Sequence, residues 1–365
     1  MIESADVGYT LFENGEVDYV QLSESNLSTI LGNESHEFYD NLVENKPTKY
    51  SWQVYWNYNK LNEDKTPDEN FNKAVANEAF RKSIMYGWDN IEYLKRHNTV
   101  NPLKCENSFY TMVGLCYTTD GKDYTELVQE KLGLETSYNG ETLVHLNKEQ
   151  AEAYKAQAIE ELSAIGVTFP VVLDYYISGS NQTALDTANV MKNSLENSLG
   201  ADYITLNIKT YISSFTQEVR NASLHGFYIS GWGADYGDPM NYLSQELLNY
   251  DNAYYAANFR NLDDITPTDW NAELLADAQT FTDMVWEADK IVDIDARYEA
   301  FAEAEAFMIE NALAHPLYYQ IQWTLTKINP YSKPNAMYGV CNNKYKNWET
   351  SVEPYTTEEI AAMAK

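Results

Sequence analysis

The chain has 365 residues, 44% of them hydrophobic and 14% aromatic, which is long enough for two lobes with separate cores and far too apolar for a disordered chain. Its 25 basic and 55 acidic residues give a formal charge of -30, a field that repels polyanions and argues against nucleic acid or anionic lipid as a partner. No apolar run approaches the length needed to cross a bilayer.

The first six residues, Met1-Ile2-Glu3-Ser4-Ala5-Asp6, contain no basic segment, no apolar stretch and no lipobox cysteine, so no export signal is read there. Phe80, Ile84, Gly87 and Ile91 recur at helical spacing. Asp89 with Glu92 three residues on resembles a capping box, which predicts that one helix ends near Gly87 and another starts at Asp89. Residues 148–165 form a helical stretch that Gly166 is placed to end, and Val171-Val172-Leu173 then reads as a buried strand. A second long helix is predicted over 182–199, with Ala184, Ala188, Met191, Leu195 and Leu199 on one face and Gly200 at its end. Tyr203 to Ile208 alternates apolar and polar, as a strand does. Phe227-Tyr228-Ile229-Ser230 reads as a short buried strand running into a glycine-rich loop, Gly231 to Pro239. Ile294, Tyr298, Phe301, Ala304 and Met308 mark a last long helix that Asp293 would cap, with strand material returning over Leu317–Ile321. The strand and helix order indicates α/β layering.

The loop Gly231-Trp232-Gly233-Ala234-Asp235-Tyr236-Gly237-Asp238-Pro239 holds the most pointed chemistry, since it sets an indole beside a carboxylate. That pair suits an ammonium group, which gains a charge-assisted hydrogen bond from one and a cation–π contact from the other. A glycine-rich turn with a solvated Asp fits the residue types equally well. No Gly-x-Ser-x-Gly, His-Glu-x-x-His, phosphate-loop or dinucleotide fingerprint occurs. Asp235 and Asp238 are conceivable as a glycosidase's carboxylate pair, and a surface adhesion module is a third class, disfavoured by the long helices between strands. Five scattered histidines and the lack of Cys-x-x-Cys imply no metal. For Cys105, Cys116 and Cys341, a single Cys105–Cys116 bridge and free buried thiols both fit the odd count.

The stretch Gly231 to Pro239 followed by Asn241-Tyr242-Leu243 resembles the signature loop of the oligopeptide-binding proteins that serve bacterial ABC importers, extracellular solute-binding protein family 5. Further segments agree in order. Leu11 to Tyr19, Tyr55-Trp56-Asn57-Tyr58-Asn59, Asn77 to Ile84 through Trp88-Asp89, Gly166 to Asp174 and Ser194 to Gly200 are each similar to family segments, the last two to those of Gram-positive peptide-binding lipoproteins. The resemblance covers nearly the whole chain.

It implies a two-lobed periplasmic-binding-protein-like (type II) α/β fold. Residues 1–54 and 321–365 would belong to a discontinuous first lobe and 55–320 to the second. Because the first matching segment normally lies mid-protein in this family, the chain is expected to be a C-terminal portion of an extracellular, lipid-anchored Gram-positive lipoprotein. The implied function is capture of short peptides between the lobes and delivery to the transmembrane subunits of an ABC permease, with no reaction catalysed, no cofactor, and membrane contact through a lipid anchor outside this chain. Asp235 would anchor the peptide's α-ammonium, Trp232 and Gly233 would border its first residues, and Tyr236, Tyr55 and Tyr319 would line the cleft. For Tyr55, Trp56, Tyr318 and Tyr319, ordinary strand packing is an equal alternative. Ile229 stands where some Gram-negative members carry a basic residue, so their peptide-length preference does not transfer.

Overall fold

A computed structural model describes residues 5–250, 262, 265–333, 336–340 and 344–363. Its strands are β1 (Tyr19–Gln21), β2 (Val43–Glu44), β3 (Tyr50–Trp56), β4 (Val171–Ser178), β5 (Ile204–Tyr211), β6 (Phe227–Gly233), β7 (His315–Tyr319) and β8 (Trp323–Thr326). They form an antiparallel sheet in the order β1-β8-β2, a second antiparallel sheet in the order β6-β3-β7, and a parallel pair β4-β5. In the first sheet Val20 faces Leu325, so two ends of the chain share one ladder.

Local chemistry explains where the helices stop and start. The helix Lys148–Ala164 begins at Asn147, whose side chain accepts from Gln150 N, and the chain leaves it through Gly166 at φ 83°. The helix Gln182–Leu199 joins β4 to β5 as a parallel crossover demands, and it ends at Gly200, φ 93°, a conformation costly for any residue with a Cβ. Asp293 caps Ile294–Glu310 by accepting from Ala296 N at 3.0 Å. The capping box expected at Asp89 does not form. The helix Glu78–Gly87 ends as expected, but the next, Ile91–Leu94, starts after Asn90 with no side-chain cap, and Asp89 reaches Ile91 N only at 3.5 Å. The capping box of this region is Asp123 with Glu126, at the start of Tyr124–Lys131.

Apolar burial divides into two clusters. The smaller holds Phe12, Val20, Leu22, Leu27, Ile30, Leu42 and Leu325, and the larger runs from Val54 to Ile321. Trp56, Trp88, Tyr124 and Phe80 are fully buried in the larger one, each contributing roughly 2–3 kcal/mol by removal from water. Cys105 and Cys116 are buried there as free thiols, so the bridge considered for them is absent; Cys341 lies outside the described residues. Among the described residues no helix is long and apolar enough to cross a membrane.

Charged groups inside this core are held by hydrogen bonds. Arg81, 1% exposed, donates to the carbonyls of Val75, Ala76, Asn311 and Ala312 at 2.8–3.0 Å, pinning a helix junction to the end of Ile294–Glu310. Glu305 accepts from Tyr110 N, Thr111 N, the Thr111 hydroxyl and the Tyr124 hydroxyl. Burial still lifts its carboxyl to about 7. Glu246 accepts from the Tyr110 hydroxyl at 2.7 Å, and burial lifts it to about 8.

The folded state therefore keeps a proton on Glu246 that the unfolded chain releases above its ordinary carboxyl value. That contribution is complete at low pH and is lost as pH rises through about 8. Glu246→Gln removes the titration. Urea unfolding at a series of pH values should show the variant gaining on wild type by up to about 1.4 kcal/mol per pH unit from about pH 5 to about pH 8. A gap that does not change with pH would mean the carboxyl is ionised throughout.

Candidate functional site

β6 extends further than its sequence suggests. Gly231, Trp232 and Gly233 are strand residues, paired with Trp52, Ser51 and Tyr50 of β3, and the loop begins at Ala234. The glycines serve the strand pairing: a Cβ on Gly231 would sit 2.8 Å from the Trp52 ring, and one on Gly233 would sit 2.9 Å from the Tyr50 ring. Trp52 in turn stacks on Tyr318 of β7, centroids 5.3 Å apart and planes within 15°. Aromatic rings on β3 thus occupy the space left by absent side chains on β6.

The loop beyond β6 is held at three points. Asn241, 7% exposed on the turn Met240–Leu243, accepts on Oδ1 from Trp232 Nε1 at 3.0 Å and from Asp235 N at 2.9 Å. Asp238 accepts from Met240 N and takes a two-pronged contact from Arg297, Nε at 2.9 Å and Nη2 at 3.0 Å. Arg297 also binds Asp289 at 2.8 Å and lies over the Phe301 ring. Segment 336–340 straps the outside: Gly339 N donates to Ala234 O at 2.8 Å, and Lys49 Nζ donates to Gly339 O at 2.9 Å.

The two aspartates of the loop consequently differ. Asp238 is committed to Arg297. Asp235 is exposed, and its carboxylate makes no hydrogen bond or ion pair among the described residues. That disfavours reading them as a pair of acids flanking one bond. Trp232 is half-buried beside Asp235, and Tyr236 is 50% exposed. Tyr55 and Tyr319 do not join them. Tyr55 is 1% exposed and stacked on Tyr228, and Tyr319 is 7% exposed, so strand packing is the reading the structure supports for both, as for Trp56 and Tyr318. Their place in the alternating strands was visible in the sequence; the helices and loops that cover this face of the sheet were not. Asn241 was quoted as part of the motif, but its role as acceptor depends on a turn that spacing does not reveal.

With the fold and loop described, the class of protein follows: an α/β protein with part of a two-lobed periplasmic-binding-protein-like fold. Solved structures agree. The pheromone receptor PrgZ matches with TM-score 0.62 at 17% identity over 96% of this chain and 57% of its own, and Listeria monocytogenes OppA bound to peptide matches with TM-score 0.60 at 16% identity over 97% and 56%. Residues 1–254 match the bacterial extracellular solute-binding proteins, family 5 middle region, and the chain belongs to that family. Sequence relatives include the oligopeptide-binding protein AliA of Streptococcus pneumoniae, 28% identical over 82% of this chain and 48% of AliA, and the oligopeptide-binding protein SarA of Streptococcus gordonii, 26% identical over 83% and 48%. The chain spans about half the length of these relatives.

Removing the shared acceptor should loosen the loop. Asn241→Ala leaves two N–H donors without their partner, an expected loss of about 1–3 kcal/mol in unfolding free energy, whereas Asn241→Asp keeps the acceptor and should lose less. Chemical denaturation of both variants measures this. Equal stability of Asn241→Ala and wild type would show that solvent replaces the Asn241 contacts without cost.

Proposed function

We propose that this chain is the peptide-capturing portion of an extracellular solute-binding protein that delivers short peptides to the transmembrane subunits of an ABC permease. The observation that carries the reading is the Asp235 carboxylate beside Trp232, unpartnered among the described residues, on a loop whose other acid is neutralised. It supplies a charge and an aromatic wall for an α-ammonium, and the surrounding clamps fix both before ligand arrives. Relatives named as oligopeptide-binding proteins, and a neighbour described as the substrate-binding domain of an oligopeptide ABC transporter from Bacillus anthracis, support the same class.

In this reading Asp235 anchors the peptide's amino terminus, Trp232, Gly233 and Tyr236 border its first residues, and no reaction is catalysed. Residues 1–54 and 321–365 form part of one lobe and 55–320 the other, a division favoured by the ladder between β1, β2 and β8 and by the separate small core, while β3 crosses the boundary at 54 and Val54 and Ile321 pack in the larger core. The chain would be the C-terminal portion of a Gram-positive lipoprotein held to the outer face of the membrane by a lipid anchor, the remaining segment completing the cleft.

Charge at Asp235 is tested by a double comparison. Asp235→Asn in the full-length protein should weaken binding of a short peptide more than tenfold, since leaving an ammonium unpaired typically costs about 2–5 kcal/mol. Acetylating the peptide's amino group should weaken wild-type binding by a similar factor and add little in the variant, because both changes break one contact. Titration calorimetry reads all four combinations. If wild type binds free and acetylated peptides equally, Asp235 is a structural loop residue.

A further inference from the structure

Segments 89–103 and 138–146 line a cavity of about 430 Å³ that shares no residue with the Asp235 loop. Its walls are mostly apolar: Ile91, Val100, Pro102, Leu103, Leu143 and Leu146. Hydrogen bonds pin the second of the two segments. Glu106, 5% exposed, accepts from Val144 N at 2.8 Å and from His145 N at 3.0 Å, and its carboxylate lies 2.6 Å from His145 Nδ1. The other nitrogen of that ring lies 3.0 Å from Trp88 O, so the stretch carrying Leu143 and Leu146 is anchored at the residue before Asp89. Further along, Thr136 Oγ1 donates to Tyr138 O at 2.7 Å, and Asn139 Oδ1 accepts from Glu141 N and Thr142 N at 2.9 Å. This turn holds the Tyr138 ring, 47% exposed, and the Glu141 carboxylate beside the cavity.

Charge in this cavity is one-sided. Asp89 and Glu141 both line it, and none of the described residues lining it is basic. Asp89 is half-buried, yet its carboxylate has a single contact among the described residues, Ile91 N at the limiting distance of 3.5 Å. Glu141 is exposed, and its carboxylate makes no hydrogen bond or ion pair among the described residues. Glu44, which takes the amide of the cavity residue Asn101, shows the contrast: it is half-buried too, and it accepts from Asn98, Asn101 and Lys104. The neighbouring bases are already paired, Lys95 with Glu92, Arg96 with Glu24 and Lys104 with Glu44. A carboxylate partly withdrawn from water is costly to leave without a donor, and no described basic side chain supplies one to Asp89.

We propose that this cavity binds a small organic cation, an ammonium group on an apolar stem, with the charge at Asp89 and the stem against the apolar walls. An ammonium supplies the donors that Asp89 lacks. The Tyr138 ring offers the cation an aromatic face as well. The volume is that of a small-molecule site, roughly 300–1,000 Å³, and each carbon of the stem that leaves water against the six apolar side chains adds affinity. A neutral molecule of the same shape would leave the carboxylate unpaired, and an anion would be repelled by two acids. The site does not depend on the peptide reading, since neither acid belongs to the Asp235 loop.

The test uses the full-length protein with 4-phenylbutylamine and its neutral isostere 4-phenylbutanol as probes, read by ligand-observed NMR titration. In wild type the amine should bind at least about tenfold more tightly than the alcohol, the ratio expected of one charge-assisted hydrogen bond. Asp89→Asn should reduce the amine to the level of the alcohol, and Glu141→Gln, at an exposed acid, should cost no more than about threefold. Val100→Lys, at a side chain 39% exposed, places an ammonium of the protein's own in the cavity and should abolish amine binding. Asp235→Asn should leave amine binding unchanged. An amine that binds no better than the alcohol, or whose preference persists in Asp89→Asn or Val100→Lys, overturns the site. Loss of amine binding in Asp235→Asn puts the probe at the Asp235 loop and overturns it too. Because Asn keeps an acceptor for Ile91 N, Asp89→Asn should leave the thermal midpoint unchanged; a clear drop would give the Asp89 charge a structural role and overturn the site.

Discussion

The indole of Trp52 is the contact on which the rest of the β6-β3-β7 sheet depends. It lies between Gly231 on one neighbouring strand and the Tyr318 ring on the other, and so fixes the spacing of three strands close to where the Asp235 loop leaves the sheet. His97 stacks on the far side of Tyr318 with centroids 3.8 Å apart, adding a third layer. Burial pushes that histidine down to about 4, so the stack stays uncharged at neutral pH. A side chain at position 231 would push into the ring system, and overpacking of that kind typically costs about 1–3 kcal/mol. The glycine of the motif is thereby explained by packing, with no appeal to ligand.

The chain separates charges that hold structure from those left open. Arg81, Arg297, Asp238 and Glu305 each have several partners, as groups withdrawn from water must. Asp235 and Arg220, by contrast, have none among the described residues.

The helices and most of the strand order were legible in the sequence because they rest on local signals. Glycine with positive φ ended two helices where expected, and Asp293 capped a third. Misreadings arose where distant residues decide. Asp89 fits a capping box by spacing, yet the chain turns one residue later. Glycines 231 and 233 read as a loop, yet the facing rings of β3 make them strand. Tyr55 has the composition of a cleft wall, but Tyr228 and the layer beyond bury it. Of the candidate site, the Trp232–Asp235 pair was legible as a motif, whereas the Asn241 clamp exists only because the turn Met240–Leu243 brings that side chain back to the strand end.

The overall charge of -30 bears on how such a site can discriminate. At long range the protein's field repels acidic ligands and favours basic ones. Ionic screening limits that field to roughly 8 Å at physiological salt, so it affects encounter more than the bound state. At contact distance screening is weakest, so the proposed pairing of Asp235 with an ammonium group would depend on local geometry far more than on net charge. A strongly acidic surface therefore acts on approach at long range, while the proposed contact at Asp235 would act only once a ligand has arrived.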